Sequence, residues 1–261
     1  MKYNFQLPHL PNRTEKPRSN GVTLVMDKGL SIRQAEDFIE TSGDFVDYVK
    51  LGFGSSIVTS RLKEKIKLYH NAGIKVYLGG TLLEAFVIRK KLDAYIRLLD
   101  ELKLKAAEVS DGSIELEHEK KCEIIRKLSS NFEVLSEVGS KEEGIIIHPN
   151  KWIKLMKAEL EAGSHKVIAE ARESGNVGIY HRNGAAHVVL INKITAKVPE
   201  DKIIWETPQK SQQVYFLKLL GANVNLGNIA PDDVIPMEIL RLGLRADTFF
   251  TFLPKELRQD S

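Results

Sequence analysis

Ala106-Ala107-Glu108-Val109-Ser110-Asp111-Gly112 and Glu133-Val134-Leu135-Ser136-Glu137-Val138-Gly139 decide how this chain folds. Each is a short, mostly apolar run that carries an acid near its end and breaks into a glycine turn. Between them, from about Glu117 to Leu128, apolar residues recur at helical spacing. Strand, turn, helix and strand follow one another, the signature of a parallel βαβ unit.

The same unit recurs in both directions. Upstream, Val22–Met26 ends in Asp27-Lys28-Gly29, and a helix starts near Ser31, where Ser31 and Gln34 form a capping box. Phe45–Leu51 runs into Gly52-Phe53-Gly54, with a helix over about Ile57–Asn71. Lys75–Leu78 runs into Gly79-Gly80-Thr81, where Thr81 and Glu84 are expected to make another capping box. Downstream, a helix over about Asn150–Ala162 precedes the strand Lys166–Glu170. A longer connection through Gly175, Gly178 and Gly184, able to fold over as a lid, leads to a helix near Ala185–Ala196. Ile203–Glu206 is followed by Thr207-Pro208, read as an N-cap and a first helical residue. Asn223–Leu226 is the last strand, followed by Gly227-Asn228 and a helix near Asp233–Leu242.

Eight strand–helix units at a period of roughly 30 residues predict a single (β/α)8 barrel over residues 21–261. Strict β-then-α alternation implies parallel strands with right-handed crossovers, and burial on both faces explains their apolar character. The alternative, an open doubly wound sheet, calls for a glycine-rich dinucleotide turn after the first strand, and Asp27-Lys28-Gly29-Leu30 does not match it. Residues 1–20, with Pro8, Pro11 and Pro17, read as an extended arm on the surface or on a neighbour, a weak pointer to a homo-oligomer.

Composition narrows the function. The 261 residues carry 38 Lys and Arg against 35 Asp and Glu, a net charge of +3. That is too small a bias to predict nucleic-acid or membrane binding. Cys122 is the single cysteine, so no disulfide within the chain or thiolate metal cage can form, and a cytoplasmic setting is expected. No apolar run is long enough to span a bilayer, and the polar N-terminus does not resemble a secretory signal.

In such a barrel, chemistry belongs at the C-terminal ends of the strands. Asp27, Glu108, Glu137, Glu170 and Glu206 all fall there, beside Lys50 and near Lys28, Lys141 and Arg172. Buried carboxylates crowded together call for a cation. A hard divalent ion, Mg2+, suits oxygen ligands, and there is no His/Cys set for zinc. Gly227-Asn228-Ile229, placed after the last strand and before a helix, is expected to offer free N–H groups to an anion, with Asn225 on that strand and Lys210 nearby adding polar contacts. Cys122, with Ile125 and Leu128 at i+3 and i+6, reads as a core residue. His148 and His181 read as surface residues, and Arg61 to Lys67 as a solvated helix face.

These residues resemble the phosphosulfolactate synthase family. The matching blocks are Arg18 to Thr23 with Asp27-Lys28-Gly29, Lys50 to Gly54, Gly79-Gly80-Thr81 with Glu84, Glu108 to Gly112, and Glu137 to Lys141. They continue through Glu170 to Gly175, Trp205 to Pro208, Gln213, Asn225 to Ile229, and Leu240 to Thr248. Ser140 and Thr207 depart slightly from the pattern, and neither removes an ionisable group. The resemblance implies a (β/α)8 enzyme that adds sulfite to phosphoenolpyruvate with Mg2+, in coenzyme M or sulfolactate metabolism. On that reading Lys141 protonates carbon, and Lys50 and Arg172 hold the carboxylate, the sulfite or both. Lys28, Lys210, Asn225, Gly227 and Asn228 bind substrate, with Gly227 and Asn228 on the phosphate. Asp27, Glu108, Glu137, Glu170 and Glu206 supply the metal ligands. Two other readings stand beside it: another Mg2+-dependent lyase or aldolase acting on a phosphorylated keto or enol acid, and a stress-associated homologue without activity. A Schiff-base aldolase is disfavoured, because Lys166 lies at the opposite end of its strand.

Overall fold

A computed structural model describes residues 3–139 and 148–258. Among them are strands β1 (Thr23–Asp27), β2 (Tyr48–Leu51), β3 (Lys75–Leu78), β4 (Ala106–Val109), β5 (Glu133–Val138), β6 (Lys166–Ala169), β7 (Ile203–Glu206) and β8 (Leu226–Ile229). They form one parallel sheet in the order β3-β2-β1-β8-β7-β6-β5-β4. β3 and β4 lie side by side and bring the sheet round to a nearly closed (β/α)8 barrel. Nine helices surround it among the described residues: α1 (Ile32–Ser42), α2 (Leu62–Asn71), α3 (Gly80–Ile88), α4 (Leu92–Glu101), α5 (His118–Ser129), α6 (Pro149–Glu161), α7 (Val188–Thr195), α8 (Lys210–Leu220) and α9 (Val234–Arg241).

Side chains alternate across each strand with a period of two. One set, including Val25, Val49, Val76, Ala107, Val134, Val167 and Ile203, packs beneath the helices. The other fills the barrel with an apolar layer of Leu24, Tyr48, Tyr77, Ala106, Leu135, Ile168 and Ile204. The next inward positions along the strands, two residues on, are Met26, Lys50, Glu108, Glu137, Glu170 and Glu206. A charged layer therefore sits on an apolar one.

Three local expectations change. The Ser31–Gln34 capping box is present, but the Thr81–Glu84 one is not: α3 is capped two residues earlier, by Gly79, and starts at Gly80, and Glu84 turns to the β4–α5 loop instead. The α8 cap is Gln209 boxed with Gln212, two residues beyond Thr207. β8 begins at Leu226 rather than Asn223, because Asn223 and Asn225 spend their amides on neighbouring backbone. Asn225 accepts from Val22 N–H at 3.0 Å and donates to Ile203 O at 3.0 Å, at the N-terminal end of the barrel.

The N-terminal arm lies on its own barrel at that end. Arg13 donates to both carboxylate oxygens of Glu238, at 2.8 and 3.1 Å, and Lys166 donates to Ser19 O at 2.6 Å. Arg18 pairs with Asp47 at 3.2 Å.

Candidate active site

A cavity of about 410 Å³ opens at the C-terminal end of the barrel. Its floor is the charged layer, with Lys50, Glu137, Glu170 and Glu206. Thr81, Ser113 and Phe53 stand on one side, Arg172, Glu173 and Ser174 on another, and Met26 and Asn228 complete the lining.

Lys50 organises the floor. Its ammonium lies 2.9 Å from Glu108 Oε2 and 3.0 Å from Glu137 Oε1, linking β2 to β4 and β5 across the barrel interior. Burial alone would lower its pKa, but Glu108 and Glu137 hold it well above the ordinary lysine value, so it is cationic. Glu206 Oε2 accepts the Ala171 N–H at 2.9 Å. Burial, reinforced by Glu137, pushes Glu206 up to about 7, against the opposing pull of Lys50. Glu170 Oε1 accepts the Arg172 N–H at 2.6 Å, which holds the start of the β6–α7 connection over the floor. Tyr77, buried beneath this layer, has its hydroxyl pKa driven far up by burial and the nearby carboxylates, and it stays protonated.

Three cavity residues other than glycine have left-handed backbones: Phe53 (φ 52°), Arg172 (φ 54°) and Asn228 (φ 56°). Such conformations are costly for L-residues and gather where a backbone must aim side chains at a site. The β6–α7 connection, expected as a possible lid, is tied down. Tyr180 OH donates to Glu206 O at 2.7 Å, Gln212 to Gly175 O at 2.7 Å, and Ile179 N–H to Glu170 O at 3.2 Å. At Gly178 (φ +64°) a Cβ would stand 1.9 Å from Glu170 O, so only glycine fits this return.

Of the residues expected at the site, Lys50, Glu137, Glu170, Glu206, Arg172 and Asn228 line the cavity, and Glu108 joins them through Lys50. Lys28 is half-exposed and paired with Glu173 at the rim. Asp27 faces outward from β1. Its Oδ1 accepts Gly29 and Leu30 N–H, both at 2.8 Å, and its Oδ2 meets Tyr69 OH at 2.9 Å and Lys65 Nζ at 2.7 Å. Lys210, the first residue of α8, is paired with Asp247 at 2.7 Å. Asn225 lies at the far end of the barrel. Gly227 lies inside β8 rather than in a loop after it, and its carbonyl accepts Thr207 N–H at 2.9 Å. Lys141 lies outside the described residues.

Among the described residues, no three His, Cys, Asp or Glu side chains form a ready-made metal site. The cavity does offer hard carboxylate oxygens on Glu137, Glu170 and Glu206. Mg2+ typically takes one or two protein carboxylates and completes its shell with water and substrate oxygens, so this donor set fits Mg2+ shared with a ligand and not a closed protein cage. Cys122 is buried, and burial raises its thiol pKa, the opposite of an activated nucleophile. Lys166 donates to Ser19 O and Asp201 O, away from the mouth, where a Schiff-base lysine would be of no use.

Glu84 was legible only in part. It belongs to the motif Gly79-Gly80-Thr81 with Glu84, but its contacts cross to another loop and leave no trace in local sequence. Its carboxylate accepts the Ser110 hydroxyl and, at 2.6 Å, the Ser113 N–H.

A family model for (2R)-phospho-3-sulfolactate synthase (ComA) matches residues 11–247. The chain is 43% identical over 244 residues to a phosphosulfolactate synthase of Methanothermobacter thermautotrophicus, covering 91% of this chain and 95% of that protein. It is 42% identical over 235 residues to one from Methanocaldococcus jannaschii, covering 88% and 94%. It is 38% identical over 244 residues to one from Bacillus subtilis, covering 92% and 97%. Among solved structures, 3-hexulose-6-phosphate synthase of Salmonella typhimurium superposes with a TM-score of 0.55 at 13% identity, covering 84% of this chain and 99% of that one. 3-Keto-L-gulonate-6-phosphate decarboxylase of Vibrio cholerae gives 0.52 at 13% identity, covering 89% and 98%. Those two likenesses concern the barrel alone.

Proposed function

The chain belongs to the (2R)-phospho-3-sulfolactate synthase family and is an enzyme of that type, and from this premise we propose that it adds sulfite to phosphoenolpyruvate with Mg2+ at the mouth of the barrel. The observation that carries the reading is the charged floor: a buried Lys50 clasped by Glu108 and Glu137, with Arg172 above it.

Both reactants are anions and repel each other in water. Lys50 is a cation held in place by Glu108 and Glu137 before the reactants arrive, so it can hold a carboxylate or a sulfite without reorganising, and the exposed Arg172 adds a second basic group at the cavity wall. Sulfur bonds to the methylene carbon, and the electron pair of the C=C bond moves toward the carboxylate, as in an enolate. Lys50 is the cation proposed to steady that charge. The neighbouring carbon then takes a proton, for which Lys141 is the proposed donor on its position in the sequence. No oxidant is needed, and every atom of both reactants remains in the product. Glu137, Glu170 and Glu206 would hold Mg2+ together with substrate oxygens. Bound there, Mg2+ supplies Lewis-acid stabilisation of the carboxylate-side charge. Asn228 and the Arg172–Ser174 turn are left to face the phosphate.

The test is direct. The purified protein is incubated with phosphoenolpyruvate, sulfite and Mg2+, and the sulfonated product is followed by mass spectrometry. Product is expected with Mg2+ and is lost with EDTA. A folded protein that forms none overturns the reading.

A further inference from the structure

The barrel has one weak seam. β2 pairs with β3 and β4 with β5, but β3 and β4 meet at the one junction where the sheet order is not closed by a ladder. The cavity wall above that junction is built from both sides of it. Thr81 comes from the first turn of α3, which follows β3, and Ser113 comes from the turn that follows β4. Strands without ladder hydrogen bonds do not fix the spacing of two such side chains, so something else must.

Hydrogen bonds from α3 cross the seam at this level. Gly80 N–H donates to Glu108 Oε1 at 2.5 Å. Gly80 has no room for a Cβ, which would stand 2.2 Å from Ser110 Oγ. Glu84, one turn further along α3 and 1% exposed, accepts the Ser110 hydroxyl on one oxygen and the Ser113 N–H on the other. A buried carboxylate with both oxygens committed to one turn is an expensive arrangement for a surface loop. It is economical if the turn must be held still.

We propose that Glu84 is a positioning residue, which fixes the Ser110–Ser113 turn against α3 so that Thr81 and Ser113 stand as one hydroxyl-bearing wall for the anionic substrate. This deepens the reaction proposed above and rests on it. Glu84 does not line the cavity, so its effect falls on how well substrate is held and not on the chemical step.

The test compares Glu84→Ala, Glu84→Gln and Ser110→Ala. Gln keeps both contacts: its carbonyl oxygen accepts Ser113 N–H, and its amide donates to Ser110 Oγ. Expected for Glu84→Ala is a rise of about tenfold in KM for phosphoenolpyruvate, with kcat within about threefold of wild type. Glu84→Gln is expected to restore KM. Ser110→Ala loses one of the two contacts and gives a smaller rise, and it carries the test if Glu84→Ala does not fold. Amide exchange at Ser113 in substrate-free protein reads the tether apart from the reaction, and is faster in the Ala variants than in wild type or Glu84→Gln. A wild-type KM in Ser110→Ala and Glu84→Ala overturns the inference, as does a Gln variant as impaired as Ala, or faster exchange without a change in KM. Wild-type protein that forms no product overturns the reaction instead, and unchanged amide exchange then overturns the tether independently.

Discussion

Glu206 is a carboxyl group in surroundings that oppose its charge. It is buried on the cavity floor, and burial with the nearby Glu137 carboxylate raises its pKa from the ordinary 4.5 to about 7. Between those two values the folded protein holds a proton that the unfolded chain has released. The stability this group contributes is therefore complete below about 4.5 and is lost as pH rises through about 7. At roughly 1.4 kcal/mol per pKa unit, the loss is on the order of 3 kcal/mol. Glu206→Gln keeps an acceptor for Ala171 N–H and cannot ionise. In metal-free protein, its stability relative to wild type is expected to climb between pH 5 and 7 and then level off. Urea unfolding at a series of pH values checks this, and parallel curves for the two proteins would count against a raised pKa. The acids of the floor were legible because each falls at the C-terminal end of a strand, and their inward direction follows from standing two residues after an inward apolar one: Glu108 after Ala106, Glu137 after Leu135, Glu206 after Ile204. The same rule, applied to Leu24 and Met26, turns Asp27 outward. Its position at a strand end suggested a site residue, while its parity gave it to Lys65 and Tyr69.

At the level of elements, the ends of the strands are held by buried charges on the outer helices. Lys121 of α5 is 1% exposed and donates to Asp111 at 2.9 Å and to the Glu137 carbonyl, and lies 2.9 Å from Glu159 of α6. One ammonium thus ties the β4–α5 loop, the end of β5 and α6 together. Burial alone would lower the pKa of this ammonium, but Glu159 and Asp111 raise it, so it remains charged. Lys121→Met leaves Glu159 buried without its cation and is expected to cost about 3–5 kcal/mol, because an unpaired buried charge is penalised more than an absent pair. Adding Glu159→Gln should recover part of that loss in equilibrium unfolding, and losses that merely add would show that the two groups act separately. None of this could be read from α5 alone, whose spacing shows an amphipathic helix and says nothing about which of its lysines turns inward. The boundary of β8 was hidden for a related reason. Asn223 to Leu226 alternates like a strand, but Asn223 and Asn225 bond to the arm and to the β7 approach, and the ladder starts only at Leu226.

Over the whole molecule the two ends of the barrel divide the work. The charged cavity is at the C-terminal end, and the N-terminal end is closed by the arm, in keeping with the usual partition of function and stability in this fold. The eightfold repeat was legible because each unit carries its own turn signals. The destination of the arm was not, since the contacts of Arg13 join residues more than 200 positions apart. Arg13 is the anchor. It donates to Glu238 and to Ala222 O at 3.0 Å, and its side chain and that of Glu238 are 1% and 2% exposed. Among the described residues, Arg13→Ala leaves Glu238 with one cation in reach, Arg241, whose Nε lies 3.8 Å away. That remaining neighbour softens the loss, so the expected cost is about 3 kcal/mol, the low end for a broken buried pair. The cavity lies at the other end of the strands and shares no residue with this contact. Well below the melting temperature, kcat and KM should therefore match wild type, while the urea midpoint falls. A KM shifted as strongly as the midpoint would mean that the arm's anchorage reaches the mouth of the barrel, and the division between the two ends would have to be abandoned.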